Sequence, residues 1–232
     1  MSLMIGKKRK IIITGSEGLL GSEICKYFEN KNDNVIKLDI RLGHDLCDEG
    51  FVKSFFKKNK SSYLVNCFAI NDHVDIKRRK KTLFNFSLEE FRSYLDLNLV
   101  TLFSVCREFI KNNNSGSIVN FSSTYGIDSP HPDLYNGSHK DVGYCVSKAG
   151  VINLTKYLSV HVAPKFRVNC VVPGGVKNKQ TSSFVKKYSQ LTPMKRMMKK
   201  SELNGIIDYL CSDNSSYVTG SSFVIDGGYL SW

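Results

Sequence analysis

An apolar run, Lys10-Ile11-Ile12-Ile13-Thr14, breaks directly into a turn with glycine at every third position, Gly15-Ser16-Glu17-Gly18-Leu19-Leu20-Gly21. Apolar residues then recur at helical spacing at Leu19, Leu20, Ile24, Tyr27 and Phe28. This reads as strand, tight turn and helix, which commits the chain to a βαβ start. Glycine at these positions permits the turn, a close approach of backbone to a pyrophosphate, and tight packing of helix on sheet. The helix start offers free N–H groups and a positive dipole. Gly15, Glu17, Gly18, Leu19, Leu20 and Gly21 are therefore the candidate phosphate cradle. A second apolar run, Val35 to Ile40, carries Asp39 at its end, about 20 residues past the turn, where a carboxylate accepts from both hydroxyls of an adenosine ribose and repels a 2′-phosphate. Glu17 adds negative charge nearby, whereas Arg41 is able to serve a phosphate. The balance favours NAD over NADP.

Strand and helix patterns keep alternating to the C-terminus. Strands are expected at Tyr63–Ile70, Ser117–Ser122, Arg167–Val172 and Ser222–Ile225. Helices are expected at Phe51–Lys58, Leu88–Ile110, Val142–Val162 and Glu202–Leu210. Such alternation predicts an α/β Rossmann fold, a doubly wound parallel sheet of six to seven strands with helices on both faces. Only five residues separate Asp39 from Asp45, too few for a crossover helix, so any strand at His44–Leu46 is vestigial and six good strands remain. With 232 residues, 41% of them hydrophobic, and no repeat or linker, the chain reads as one domain over residues 4–232.

No apolar stretch is long enough to span a bilayer, and the first residues lack a secretory layout, so the expected location is the cytoplasm. The seven cysteines form no CxxC pair and read as reduced thiols, with no metal site. The formal charge of +12 suits an anionic substrate. Its one dense cluster, Lys77 to Lys81, has no interleaved aromatics, and neither a nucleic-acid nor a membrane partner is expected.

Tyr144 and Lys148 stand four apart at the start of a helix and so share a face. An isolated phenol is a poor base at neutral pH, and a neighbouring ammonium stabilises its phenolate. Ser122 and Ser123 end the preceding strand, where a hydroxyl can donate to a carbonyl oxygen that gains negative charge. Asn98 falls on the inward face of an apolar helix, where it needs hydrogen-bond partners.

These features, in order over nearly the whole chain, resemble the short-chain dehydrogenase/reductase family. They are TGSEGLLG, Asp39, Asp45-Leu46, Asn66, Asn98, SIVNFSS, YCVSK, VNCVVPGG and YVTGSSFVIDGG. The resemblance implies an NAD-dependent oxidoreductase that moves a hydride between the cofactor and a carbonyl or alcohol carbon. By the same likeness Ser123 polarises the carbonyl, and Tyr144 passes the proton. Lys148 holds the nicotinamide ribose and tunes Tyr144, and Asn98 holds a relay water. Asp45 and Leu46 lie at the adenine, Asn66 after the fourth family strand belongs to the cofactor-binding set, and Pro173, Gly174 and Val176 line the nicotinamide.

There are departures. Asn66-Cys67-Phe68-Ala69 replaces the family's smaller Asn-Asn-Ala-Gly, and Ile127 to Lys140, with His131 and His139, is an insert expected to overhang the site. Residues 179–200 are expected to form a mobile lid. The apolar ending Tyr229-Leu230-Ser231-Trp232 suggests a subunit contact, and the resemblance implies a homodimer or homotetramer. Its overall look is similar to reductases of bacterial surface-glycan pathways, which points to a sugar or sugar phosphate substrate. The alternatives are a sugar-nucleotide epimerase or dehydratase that retains NAD, which normally needs a larger C-terminal domain, and a non-catalytic nucleotide sensor, which would not need Ser123, Tyr144 and Lys148.

Overall fold

β1 (Lys10–Thr14), α1 (Leu19–Asn30) and β2 (Asn34–Leu38) form the predicted opening unit in the computed structural model, which describes residues 8–71 and 81–232. β3 (Tyr63–Asn66), β4 (Gly116–Phe121), β5 (Phe166–Pro173) and β6 (Ser222–Ile225) complete one sheet in the order β2-β1-β3-β4-β5-β6. Every pairing is parallel. The short gap after Asp39 holds a single helical turn, Ile40–Leu42, and no strand, so six strands is the observed number. The strand order reverses between β1 and β3, the point at which sheets of this kind bind their ligands beyond the C-terminal strand ends.

Alternation along β1 divides the core. Ile11 and Ile13 pack with Ile24 and Phe28 of α1 and with Ile207 and Leu210 of α7 (Asn204–Leu210). Ile12 faces the opposite layer, made by α2 (Glu49–Lys58), α4 (Leu102–Asn112) and α5 (Val142–Val162) through Val52, Phe56, Phe109 and Val151. One polar row crosses this second layer. Thr14 Oγ1 donates to Asn66 Oδ1 at 3.0 Å, Asn66 Nδ2 to Asn120 Oδ1 at 2.9 Å, and Asn120 Nδ2 to Thr155 Oγ1 at 3.0 Å. A buried amide without partners costs roughly 1–3 kcal/mol, so this row ties strand register to the helix layer.

The helix expected over 88–110 is present but not uniform. α3 (Leu88–Leu95), started by a Ser87–Glu90 capping box, runs into a widened π turn at Asp96–Thr101 before α4 continues. The sheet and helices are joined by a third apolar cluster that sequence periodicity does not show. Leu134 and Tyr135 of the insert pack there with Tyr188 of α6 (Ser182–Leu191), Met197 and Tyr229. The apolar ending read from the sequence as a subunit contact is thus partly packed within the chain itself. Tyr229 stacks on Tyr188 at 5.0 Å between ring centroids, and only Trp232 stands out, at 71% exposure.

All seven cysteines are free, with Cys25, Cys106, Cys170 and Cys211 buried and Cys47 exposed. Of the basic cluster, 77–80 lies outside the described residues. Among the described residues no helix is long and apolar enough to cross a membrane, and no group of three His, Cys, Asp or Glu could hold a metal. Gly205, near the start of α7, has open space where a Cβ would sit. Gly205→Ala should raise stability by about 0.5 kcal/mol and Tm by roughly 1–2 °C in a thermal melt. A lower Tm would show that α7 does not tolerate a side chain there.

Candidate active site

The site is built at the C-terminal edge of β1, β3, β4 and β5. Strand β4 delivers Ser122 and Ser123, and helix α5 delivers Tyr144, Ser147 and Lys148. Ser122 Oγ donates to the Lys148 carbonyl at 2.7 Å, and a Cβ on Gly126 would lie 2.6 Å from that residue's backbone, so strand end and helix are locked closely together. In consequence the Ser123 side chain stands beside Tyr144, near enough to oppose the burial-driven rise of its phenol. The two groups that the sequence pairs by motif meet in space.

Lys148 lies directly behind them. Its ammonium is 5.8 Å from the Tyr144 ring centroid and donates to the Phe121 carbonyl at 2.9 Å. Tyr144 and Lys148 are 6% and 5% exposed, and that burial governs their titration. Burial pushes the Tyr144 phenol up to about 12, opposed by the Ser123 side chain, and pushes the Lys148 ammonium down to about 8. The sequence reading expected the cation to bring the phenol toward neutrality, but desolvation is the larger effect on both groups.

The Lys148 shift carries a stability prediction. Folded protein gives up this proton near pH 8 and unfolded chain near 10.5, so the Lys148 contribution to stability rises with pH between those values. At about 1.4 kcal/mol per unit the gain is about 3 kcal/mol. Buried thiols such as Cys106 and Cys170, raised to about 12 by burial, work in the opposite sense above pH 9. The quantity to measure is therefore the stability of wild type minus that of Lys148→Met in denaturant titrations at several pH values. It should climb across pH 8 to 10.5; a flat difference would mean that Lys148 titrates normally.

Asn98 sits in the π turn and is 2% exposed. Its Oδ1 accepts from the Ile70 amide at 2.8 Å, and its Nδ2 donates to the Ile70 carbonyl at 3.1 Å and to Ser147 Oγ at 3.1 Å. The side chain clamps the loop after β3 to the helix that bears Tyr144. Asn66 differs more. It is fully engaged in the buried polar row, so its side chain does not face a cofactor. Leu46 is likewise a core residue beneath α2, while Asp45 is exposed and accepts from the Cys47 amide at 2.9 Å.

The glycine turn has the features a dinucleotide phosphate requires. No side chain caps the start of α1 and its first turn has no acidic residue, so its leading N–H groups are free for an anion. Ser16, 1% exposed, has a hydroxyl without a partner. Asp39 shapes the turn directly: Oδ2 accepts from the Glu17 amide at 3.0 Å and Oδ1 from the Arg41 amide at 2.9 Å. Each oxygen keeps a lone pair for a ribose hydroxyl. The Glu17 side chain is exposed, and its carbonyl accepts from the Arg41 guanidinium at 2.7 Å. Leu19 is exposed, and Leu20 packs in part against the core shared by β1, α1 and α7.

Pro173, the last residue of β5, is buried, and Gly174 just past it lies so close to Asp226 that a Cβ would come within 2.8 Å of its Cα. Val176 forms a bridge with Met198, backed by bonds from Lys177 to Met198 and from Met198 to Gly175. The two ends of segment 179–200 are thus pinned together beside the site. His131 and His139 are exposed; His139 accepts from the Leu83 amide at 3.0 Å, and its own amide donates to the Lys81 carbonyl at 2.7 Å. Sequence reasoning missed Ser147, which lies inside YCVSK without a role assigned to it, and Lys140, which belongs to no motif.

Comparison with known proteins bears on this arrangement. A family model described as enoyl-(acyl carrier protein) reductase matches residues 15–230. The 3-oxoacyl-(acyl-carrier-protein) reductase FabG of Rickettsia conorii is 35% identical over 247 aligned positions, covering 94% of this chain and 95% of that protein. FabG of Chlamydia trachomatis is 29% identical over 255 aligned positions, 98% and 99% of the respective chains. Among solved structures, a short-chain dehydrogenase from Leptospira borgpetersenii with bound NAD+ superposes with a TM-score of 0.85 at 28% identity, over 96% of this chain and 93% of that one.

Proposed function

The chain belongs to the short-chain dehydrogenase/reductase family, an NAD(P)-dependent oxidoreductase family, and from that premise we propose that it interconverts a carbonyl and an alcohol with NAD(H) as the preferred cofactor. The observation that carries this is the placement of Ser123 beside Tyr144, with the Lys148 ammonium 5.8 Å from the Tyr144 ring centroid and the glycine cradle along the same sheet edge. The bound nicotinamide supplies or accepts the hydride. Ser123 donates to the substrate oxygen as it becomes negative. Tyr144 gives that oxygen its proton in reduction and removes it in oxidation, and Lys148 favours the phenolate in each direction. Asn98 and Ser147 hold the Tyr144 helix and the loop after β3 in mutual register.

The preference for NAD rests on Asp39. Asp39→Ser, with Arg41 left to meet a 2′-phosphate, should move the NADP to NAD ratio of kcat/KM at least tenfold toward NADP. No movement would remove Asp39 as the discriminator. Lys177, Lys179, Lys186, Lys195, Arg196, Lys199 and Lys200 are exposed, and residues 176–200 hold no acidic residue, which supports an anionic substrate such as a sugar phosphate. A second reading, a carrier-bound acyl thioester, is favoured by the names of the relatives, and its phosphate-bearing carrier is also anionic. Assay of sugars, sugar phosphates, small ketones and acetoacetyl-CoA with each nicotinamide, followed by absorbance, separates the two; turnover of none would argue against both.

Residues 179–200 would serve as the lid, hinged where Val176 meets Met198. Val100, Phe103, Val146, Tyr157 and Val160, apolar and exposed on α4, its leading turn and α5, support a homo-oligomer. The seven free thiols suit a reducing cytoplasm.

A further inference from the structure

Tyr144 has a cation four residues behind it as well as four ahead. Lys140 precedes the helix, since Asp141 caps α5 through the Gly143 amide at 2.9 Å. Nevertheless the Lys140 ammonium lies 4.6 Å from the centroid of the Tyr144 ring, nearer than the 5.8 Å of Lys148. Lys140 is 9% exposed and donates to Asn71 Oδ1 at 2.7 Å. Its approach is fixed by the bonds that stitch His139 to Lys81 and Leu83. A long cationic side chain is thus held against the face of one phenol by the inserted segment, without belonging to the Tyr-Lys motif.

We propose that Lys140 is a positioning residue that acts through Tyr144, holding the ring in place and stabilising its deprotonated form from the loop side while Lys148 does so from within the helix. A cation over an aromatic face is attracted by the ring quadrupole, and the attraction grows when the ring carries negative charge. The other groups around the phenol do not duplicate this. Burial and Cys145 on α5 push the phenol up, and Ser123 from β4 opposes them. Tyr94 of α3 meets the ring edge-on at 6.4 Å, and Tyr135 of the insert lies close enough to feel the Tyr144 charge. Asp141, the cap of α5, brings a carboxylate close by; one of its oxygens is buried without a partner, and its own titration is pushed up by burial.

The inference rests on the reading of Tyr144 as the proton-transfer group, and the test separates the two. The ultraviolet phenolate signal that Tyr144→Phe removes is titrated in wild type, Lys140→Gln and Lys140→Arg, which needs no substrate. In Lys140→Gln that signal should move to higher pH by roughly half to one unit. Lys140→Arg should stay near wild type. With a substrate that turns over, the pH limb of kcat should move likewise while KM stays within about twofold. An unmoved titration in Lys140→Gln, or a rise in KM alone, overturns the proposal, the latter placing Lys140 on the substrate instead. Should Lys140→Gln fail to fold, Lys140→Met replaces it. If Tyr144→Phe retains turnover, it is the reading of Tyr144 that fails, whatever Lys140 does.

Discussion

Tyr144→Phe should lower turnover by about 100- to 10,000-fold while leaving the fold intact. Phenylalanine fills the same buried site, 6% exposed and set edge-on to Tyr94, so packing is kept and only the hydroxyl is lost. That hydroxyl is the group set beside Ser123 at the sheet edge, and proton transfer by a positioned side chain typically contributes a factor of this size. Some rate should survive, because Ser123 still polarises the carbonyl and the cofactor cradle is untouched. Steady-state kinetics beside circular dichroism and a melting curve measure both halves of the statement. Turnover near wild type would place the proton chemistry on another residue.

The second large effect is expected at Gly21. A Cβ there would lie 2.1 Å from the Gly15 carbonyl oxygen and 3.0 Å from Ser16 Cα, both backbone atoms of the cofactor turn. Alanine is the better helix former by about 1 kcal/mol, which alone would stabilise α1. The clash outweighs it, because neither backbone can move without disturbing Gly15, which has a φ of +65° and packs against the backbone of Phe68. Gly21→Ala should lose about 2–3 kcal/mol of stability, and the thermal shift given by NAD should vanish. A wild-type melting point with an undiminished NAD shift would mean that the turn yields more easily than this packing implies.

How far the sequence disclosed this molecule depended on the range of each interaction. The β1 turn, Asp39, α5 and the six-strand count were legible because each rests on a local pattern: glycines after an apolar run, a helical repeat, a gap too short for a crossover. The meeting of Ser123 with Tyr144 was legible as soon as strand β4 and helix α5 were placed in order. Asn66 was misjudged because its partners, Thr14, Asn120 and Thr155, come from separate elements and give no local sign. The π turn around Asn98 was hidden for a similar reason, as its clamp on Ile70 and Ser147 is tertiary. Lys140 read as one more lysine in an insert, and only the path of that insert over α5 brings its charge to the phenol.

The cluster that joins the insert, α6 and the C-terminal turn has a practical consequence. Trp232 is the sole tryptophan of the chain, and its indole Nε1 donates to the Leu191 carbonyl at the end of α6, 2.9 Å away, with the Lys195 ammonium 5.0 Å from its ring. Because Tyr229 is stacked on Tyr188 just before it, any swing of α6 must drag the indole along or tear it from that seat. The protein therefore carries its own fluorescent gauge of α6. Emission recorded while ligands are added would follow that helix in real time, with no label attached.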